Sequence, residues 1–208
     1  KTILLIEPRR MAARAATRRM ASEAGEKPGE RFGYELRFER KVGPKTRVIA
    51  ITPGVLLRKI QADAFLEDVS AVIFDEFHER SLDNDLSFGL IQLIQESVRP
   101  ELKMLVMSAT LDARKIAAHL NQCPVVVSEG RLYPVDIEYL PPRPKSRLEE
   151  AVSLAVDQLI AKCDGDILVF LPGKNDIRKC QDRLRDLKNF AIVPLHGELP
   201  AEQQDAAL

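Results

Sequence analysis

Short apolar runs alternate with amphipathic stretches along most of the chain. The apolar runs are rich in β-branched residues and predict strands near residues 2–6, 47–51, 70–74, 102–107 and 124–128. The amphipathic stretches between them predict helices near residues 9–24, 53–61, 84–97 and 112–120. Alternation of this kind is typical of βα units around a parallel sheet. We therefore expect an α/β fold in which helices flank parallel strands.

A proline-rich stretch interrupts this pattern after Ser128. Residues 130–134 and 141–144 carry Gly130, Pro134 and three further prolines, a composition that favours a stiff, extended connection. The βα pattern then resumes, with helices near 146–162 and 174–187, strands at 167–171 and 190–194, and a helix start after Pro200. The predicted organisation is one nearly complete α/β domain over residues 1–129, a connection over 130–145 and the start of a second domain over 146–208.

The composition describes a globular protein. The 208 residues include 31 basic and 31 acidic side chains, and 45% of the residues are hydrophobic. The apolar runs are far shorter than the ~20 residues of a membrane-spanning helix, so no membrane association is expected. The three cysteines lie far apart without CxxC spacing, which argues against a disulfide framework and a structural zinc site and favours a cytoplasmic location.

The neutral total charge hides an uneven distribution. Residues 1–60 hold 15 basic and 6 acidic side chains, a balance of +9, whereas residues 61–100 hold 2 and 9, a balance of −7. Clustered positive charge favours a polyanionic partner, and clustered carboxylates favour a metal site or a salt-bridged face.

Two adjacent carboxylates, Asp75 and Glu76, follow the apolar strand that ends at Phe74. This pattern matches a Walker-B type acid that holds Mg²⁺ on a nucleotide, with the second acid orienting or deprotonating the attacking water. One alternative is a helix cap with surface acids. Another is a metal-dependent hydrolase that uses Asp75, Glu76 and His78 as ligands.

Three other segments carry polar groups directly after predicted strands. Arg10, Arg14 and Arg18 form a basic stripe beside a helix start, which suits phosphate binding. Thr52–Gly54 offers a hydroxyl and backbone amides at another helix start, and Ser108–Thr110 offers two hydroxyls at the sheet edge. Each segment taken alone has an ordinary structural explanation, as a solvated face or a turn.

In this order and spacing, the segments resemble the superfamily 2 helicases, and within them the DEAH-box/RHA group of RNA helicases. The matching segments are Glu7–Arg10 (motif Ia), Gly33–Glu39, Thr52–Arg58 (motif Ib), Asp75–His78 (motif II), Ser108–Thr110 (motif III), Ile167–Gly173 (motif IV) and Leu195–Pro200 with Gln203 and Gln204 (motif IVa). The third residue of motif II is Phe77 rather than Ala, which with Glu79–Asp83 is similar to the bacterial helicases of the HrpB type.

The resemblance implies RecA-like domains, ATP and Mg²⁺ as cofactors, and roles for individual residues. Asp75 would bind Mg²⁺ through water, and Glu76 would activate the attacking water. His78, Ser108 and Thr110 would couple hydrolysis to domain movement. Arg19 would stack on the adenine, with Leu208 near the position of its apolar counterpart.

The implied partner is RNA or another single-stranded nucleic acid. Residues expected to contact it are Arg9, Arg10, Arg14, Thr52, Gly54, Arg37, Gly173, His196 and Gly197. Tyr34 and Phe38 flank Arg37 and suit stacking, although an edge hairpin explains the same residues. Aromatic residues make up only 5% of the chain, which favours contact with the sugar-phosphate backbone over base stacking.

No GxxxxGK[ST] loop occurs in the sequence, so the P-loop of such an enzyme is expected upstream of Lys1 and its motifs V and VI beyond Leu208. The chain starts with Lys at the edge of a strand, which also suggests that it begins inside a larger protein. The isolated 208 residues are then expected to lack ATPase activity. A non-catalytic nucleic-acid-binding or scaffold protein is the alternative hypothesis.

Overall fold

The computed structural model of the chain describes residues 1–109, 113–128, 130, 133–141, 146–187 and 189–207. The chain divides into two units, residues 1–128 and residues 129–208. The predicted boundaries of the two domains and their connection stay predictions. None of the helices within the described residues combines the length and hydropathy that a bilayer-crossing segment needs.

The first unit is built around one six-stranded sheet. Its elements in chain order are β1 (Thr2–Ile6), α1 (Arg10–Glu23), β2 (Phe32–Leu36), β3 (Glu39–Lys41), β4 (Val48–Ile51), α2 (Pro53–Ala62), β5 (Val69–Phe74), a 3₁₀ turn (Phe77–Glu79), α3 (Leu82–Ser97), β6 (Lys103–Val106) and α4 (Ala113–His119). The strand order is β3-β2-β4-β1-β5-β6. Only the β2–β3 pair is antiparallel; the other pairings are parallel. This confirms the predicted α/β fold with a mostly parallel sheet.

Helices cover both faces of the sheet, and β1 shows how the sequence specifies this. Successive side chains of a strand point to opposite faces. Leu4 and Ile6 join the core cluster that includes Val55 and Leu56 of α2 and Ile91 of α3. Leu5 joins the cluster on α1, which includes Ala13, Tyr34 and Ala50. Because both faces are buried, β1 reads as a continuous apolar run instead of an alternating one.

Small residues allow α1 to approach the sheet closely. Ala13, Thr17 and Ala21 are fully buried, and Thr17 Oγ1 donates to the Gly33 carbonyl at 3.2 Å and to the Ala13 carbonyl at 2.8 Å. Because the buried hydroxyl has these partners, its burial does not carry the free-energy cost of an unpaired polar group.

The second unit is described here by its own helices, α5 (Leu148–Ile160), α6 (Lys174–Leu184) and α7 (Ala201–Ala206). Helices α5 and α6 pack together and bury Val156, Cys180 and Leu184. The helix predictions for this region are therefore confirmed, although α5 and α6 are shorter than predicted.

Three predicted strands, at 124–128, 167–171 and 190–194, are wrong. The structure assigns none of these residues to a strand, and side chains such as Val126, Leu168 and Phe170 lie exposed. A strand needs a neighbour that pairs with its backbone groups, and none of the described residues pairs with these runs. Conversely, the antiparallel hairpin β2–β3 extends the sheet where the apolar pattern had predicted no strand.

Gly33 in β2 provides a test of the hairpin packing. A Cβ atom at this position would lie 2.5 Å from the Lys41 carbonyl oxygen and 3.1 Å from Thr46 Cγ2, so Gly33→Ala forces backbone to move. We expect the substitution to destabilise the fold by about 2 kcal/mol. Gly89 in α3 is the matched control, since a Cβ there meets nothing within 4 Å.

Urea unfolding of both variants checks this prediction. Gly89→Ala should be neutral or stabilising by up to about 1 kcal/mol, because alanine is the better helix former. A Gly33→Ala protein as stable as Gly89→Ala would contradict the described packing of β2 against β3.

Candidate active site and nucleic-acid interface

The parallel register brings the ends of four strands to one edge of the sheet. Ile6 at the end of β1 pairs with Ile51 of β4 and with Phe74 of β5, and Phe74 pairs with Val106 of β6. Glu7, Thr52 and Asp75 directly follow β1, β4 and β5, and Ser108 follows β6 after one intervening residue, Met107. The prediction that Thr52, Asp75 and Ser108 share one sheet edge is therefore confirmed.

The chain leaves β5 through a tightly held turn. The backbone N–H of Asp75 donates to the Ile6 carbonyl at 3.0 Å, and that of Phe77 donates to the Met107 carbonyl at 3.1 Å. Asp75 Oδ1 accepts from the backbone N–H of Glu76 at 2.7 Å. Glu76 adopts φ 45° and ψ 41°, a left-handed conformation that is strained for a residue with a Cβ atom. The hydrogen bonds to both neighbouring strands hold this conformation in place.

Phe77 anchors the turn in the core. Its side chain is buried, and its ring lies 6.1 Å from the ring of Phe74 in an edge-on arrangement and 5.0 Å from that of Phe88. The guanidinium carbon of Arg80 lies 5.5 Å from the Phe77 ring centroid. Aromatic and cation–π contacts of this kind add specific geometry to the apolar burial. The aromatic residue in the third motif II position therefore has a structural role.

The side chain of His78 contacts both Ser108 and Glu76. Its Nδ1 is 3.3 Å from Ser108 Oγ and 3.2 Å from Glu76 Oε2. An ionised carboxylate oxygen only accepts a hydrogen bond, so with its proton on Nδ1 the imidazole has a single N–H there, which Glu76 Oε2 and Ser108 Oγ share as acceptors. Thr110, the remaining member of this predicted group, lies outside the described residues.

Two ion pairs flank the same turn. Arg9 Nε donates to Glu79 Oε2 at 3.0 Å, which joins the start of α1 to the 3₁₀ turn. Arg80 donates from Nε and Nη2 to the two carboxylate oxygens of Asp85, each at 2.8 Å. Arg80 also has a positive φ, 35°, so strained residues stand at both ends of the turn.

Glu7 also lies at this sheet edge, although the sequence analysis assigned it no functional role. Its side chain is 3% exposed. Burial, and then the nearby carboxylates of Asp75, Glu76 and Glu79, raise the pKa of Glu7 to about 7. Its position in the sequence could have predicted this role. Glu7 directly follows β1 and Asp75 directly follows β5, and the ends of these parallel strands lie at the same sheet edge.

The carboxylates suit Mg²⁺ held together with a nucleotide better than they suit a metal cage. The described residues contain no group of three or more His, Cys, Asp or Glu side chains arranged to hold a metal ion. Mg²⁺ commonly takes one or two carboxylates and completes its shell with waters and phosphate oxygens. Asp75 and Glu76 fit that use. The described residues do not provide the three-ligand site that the metal-dependent hydrolase alternative requires.

The predicted basic stripe of α1 divides into exposed and buried members. Arg10 and Arg18 are exposed, and so is Arg9, which directly precedes the helix and has 72% of its side chain exposed. Arg14 is only 5% exposed, and its Nη1 donates to Glu39 of β3 at 3.2 Å. Because Arg14 is buried against the hairpin, it ties α1 to the sheet instead of facing a phosphate in solvent.

The other predicted phosphate contacts of the first unit occupy helix and hairpin ends. Thr52 precedes α2 with extended backbone, and a Cβ atom added to Gly54 would lie 3.4 Å from Asp83 Oδ2, so an acid already neighbours this helix start. Arg37 lies at the tip of the β2–β3 hairpin, with its guanidinium 5.0 Å from the ring of Phe38. Phe38 is 82% exposed, which leaves this pair at the surface.

The remaining predicted residues are Arg19 in the first unit and Gly173, His196, Gly197 and Leu208 in the second. Arg19 is exposed near the end of α1 and forms an ion pair with Glu23, one helical turn away. Its apolar counterpart, Leu208, lies outside the described residues. In the second unit, Gly173 precedes α6, and the Gln204 side chain donates to the Gly197 carbonyl at 3.3 Å. His196 Nδ1 is buried there without a hydrogen-bond partner among the described residues.

Comparison with known proteins agrees with this arrangement. The family described as DEAD/DEAH box helicase matches residues 3–119. The chain is 43% identical over 208 residues to the ATP-dependent RNA helicase HrpB of Escherichia coli strain K12, which covers 99% of the chain and 26% of that protein. It is 37% identical over 203 residues to an ATP-dependent RNA helicase HrpA homolog of Haemophilus influenzae, covering 96% of the chain and 16% of the relative.

A solved structure extends the likeness to three dimensions. The chain is similar to the crystal structure of the Escherichia coli DEAH/RHA helicase HrpB with a TM-score of 0.87 and 42% sequence identity, over 99% of the chain and 27% of that structure. The RecA-like fold expected from the motifs is confirmed by this match. The chain spans about a quarter or less of the length of these relatives.

The raised pKa of Glu7 predicts how stability depends on pH. An unfolded glutamate titrates near 4.5, whereas the folded Glu7 titrates at about 7. Between these values the folded state binds a proton that the unfolded state has lost, so this residue makes stability fall as pH rises from about 4.5 to 7. Glu7→Gln removes that loss, and its advantage over the wild type should grow across the window.

Thermal melts at pH 5, 6, 7 and 8 in EDTA buffer measure the difference in Tm between Glu7→Gln and the wild type. Glu67→Gln, at an exposed position, is the control and should follow the wild-type pH dependence. A Glu7→Gln difference that stays constant from pH 5 to 8 would contradict the raised pKa.

Proposed function

The chain belongs to the DEAD/DEAH box helicase family, and from that premise we propose that the whole protein is an ATP-dependent RNA helicase. In it, this chain supplies the motif II turn and part of the surface that grips the nucleic acid. The observation that carries the proposal is the shared sheet edge, where Asp75 and Glu76 lie beside Ser108 and beside the basic start of α1.

Asp75 and Glu76 divide the chemistry of ATP hydrolysis between them in this proposal. Asp75, held by its hydrogen bond to the Glu76 amide, binds Mg²⁺ through water. The metal ion neutralises charge on the phosphates during transfer. Glu76 carries a half-buried carboxylate next to this position and acts as the base that orients and deprotonates the attacking water. The 208 residues contain no P-loop sequence, so the proposal gives the chain no ATPase activity of its own.

His78 connects the base to the neighbouring strand. Its Nδ1 contacts both Glu76 and Ser108, which lies two residues beyond the end of β6. A change at the nucleotide that moves Glu76 therefore also alters the contact of His78 with Ser108. These contacts support the coupling role proposed for His78 and Ser108, and Thr110 is proposed to share it.

The RNA contacts lie on surfaces with few stacking groups. Arg9 and Arg10 begin α1, Thr52 and Gly54 begin α2, and backbone amides at helix starts attract phosphate. Arg37 extends this surface at the hairpin tip, and Gly173, His196 and Gly197 would contribute from the second unit.

All three cysteines are free thiols, which fits action in the reducing cytoplasm.

Replacing Glu76 tests the catalytic assignment. Glu76→Gln keeps the shape of the side chain and removes its basicity, so ATP turnover by the whole protein should fall by about 10²–10⁴-fold while ATP still binds. Steady-state hydrolysis and equilibrium binding of a fluorescent ATP analogue measure the two effects. Glu96→Gln, an exposed acid on α3, is the control and should retain full turnover. Turnover near normal in Glu76→Gln would exclude Glu76 as the base.

Replacing Arg10 tests the backbone-gripping surface. Phosphate contacts carry no sequence information, so Arg10→Ala should weaken all single-stranded RNA sequences about equally. It should also flatten the slope of log affinity against log salt by about 0.7, the loss of one contact. Fluorescence anisotropy with several unrelated oligonucleotides at three salt concentrations gives both numbers.

Arg31→Ala is the matched control, because Arg31 lies at the opposite sheet edge, before β2, and is paired with Glu26. Its affinity and salt slope should equal those of the wild type. Loss of affinity for one sequence only, or an unchanged slope in Arg10→Ala, would show that Arg10 does not contact the backbone.

A further inference from the structure

The ion pair between Arg9 and Glu79 joins two parts of the chain with different proposed roles. The residues are 70 positions apart in sequence, and Arg9 Nε lies 3.0 Å from Glu79 Oε2. Arg9 precedes α1, on the proposed RNA surface. Glu79 ends the 3₁₀ turn that also contains His78, on the proposed catalytic side. The pair is thus a direct contact between the two surfaces.

The exposure of the pair leaves it accessible to a competing anion. Arg9 has 72% of its side chain exposed and Glu79 has 31%. A guanidinium has five N–H donors, and the contact with Glu79 is made through Nε. A phosphate that approaches the other donors attracts Arg9 and repels the Glu79 carboxylate, since like charges a few ångströms apart oppose each other.

The turn that carries Glu79 can respond to such a change. It lies between Glu76 at φ 45° and Arg80 at φ 35°, both in sparsely populated backbone conformations for residues with side chains. The surrounding contacts maintain these conformations: His78 contacts Glu76 and Ser108, Glu79 pairs with Arg9, and Arg80 pairs with Asp85. Removing one of these contacts allows the turn to adjust.

We propose that Glu79 is a positioning residue that links nucleic-acid binding at Arg9 to the motif II turn. Without nucleic acid, Glu79 holds Arg9 and Arg9 holds the turn. A backbone phosphate of the bound strand competes with Glu79 for the Arg9 guanidinium and releases the turn that presents Glu76 and His78. This inference rests on the proposed RNA helicase function. By linkage, the state of the turn changes RNA affinity as much as RNA changes the turn.

A double-mutant cycle tests the competition. The whole protein in its wild-type form and its Glu79→Gln, Arg9→Ala and double variants are titrated into a fluorescein-labelled 12-nucleotide oligo(U) RNA, with anisotropy as the readout. Glu79→Gln should bind about threefold more tightly than the wild type, because the competing carboxylate is gone. In the Arg9→Ala background the same substitution should have no effect, since the contact for which Glu79 competes is absent.

The cycle separates competition from a general charge effect. If Glu79→Gln tightens binding equally with and without Arg9, removal of a negative charge explains the result and the inference is wrong. Unchanged or weaker binding of Glu79→Gln in the wild-type background also overturns it. If the wild-type protein does not bind RNA, the proposed function fails first, and the two failures are therefore distinguishable. Thermal melts verify folding, and Glu79→Ala, which also removes the carboxylate, replaces Glu79→Gln if that variant does not fold.

A second readout concerns the catalytic turn in the whole protein. Because Glu79→Gln releases the turn without RNA, its ATPase rate in the absence of RNA should rise toward the RNA-stimulated rate. The ratio of stimulated to unstimulated rate should fall at least about twofold. A merely structural role would lower both rates together and leave their ratio unchanged, which would overturn the coupling role of Glu79.

Discussion

The parallel hydrogen-bond register of β1 with β4 and β5 is the constraint on which the rest of the molecule depends. Ile6 lies opposite Ile51 on one side and Phe74 on the other, and the residues after all three strands project from the same sheet edge. A slip by one residue would turn Leu4 and Ile6 away from the α2–α3 core and reverse the side of every following group. The burial of both sheet faces therefore also positions the chemistry.

This edge concentrates charge of both signs at short range. Glu7, Asp75, Glu76 and Glu79 meet there, and burial, with the charges of the other three carboxylates as the smaller cause, raises the pKa of Glu7. The start of α1 brings Arg9 into the same area, where it pairs with Glu79. The acidic group of residues that suits Mg²⁺ therefore lies next to the basic surface that suits phosphate. The Arg9–Glu79 ion pair connects them.

Apolar packing makes a strained turn possible in the middle of these charges. The Phe77 ring lies with Phe74 and Phe88 in the apolar core. Anchoring one side chain of the turn in this way fixes where the neighbouring Glu76 and His78 emerge. The strain at Glu76 and Arg80 is tolerated because the backbone bonds to Ile6 and Met107 and the buried ring hold the turn from both sides.

The sequence alone determined the helices of the first unit, the four strands β1, β4, β5 and β6, and the order of its polar groups, because the period of apolar positions and the residue types at strand ends are local properties. It predicted that Thr52, Asp75 and Ser108 share an edge, since parallel strands have their carboxyl ends in common. The tertiary structure decided what lies against each group. Four-residue spacing placed Arg10, Arg14 and Arg18 on one stripe, but packing of the β2–β3 hairpin buried Arg14 against Glu39. The high pKa of Glu7, the Arg9–Glu79 pair and the absence of strands at 124–128, 167–171 and 190–194 also depend on neighbours far away in sequence, because burial, Coulomb interaction and strand pairing are properties of proximity in space.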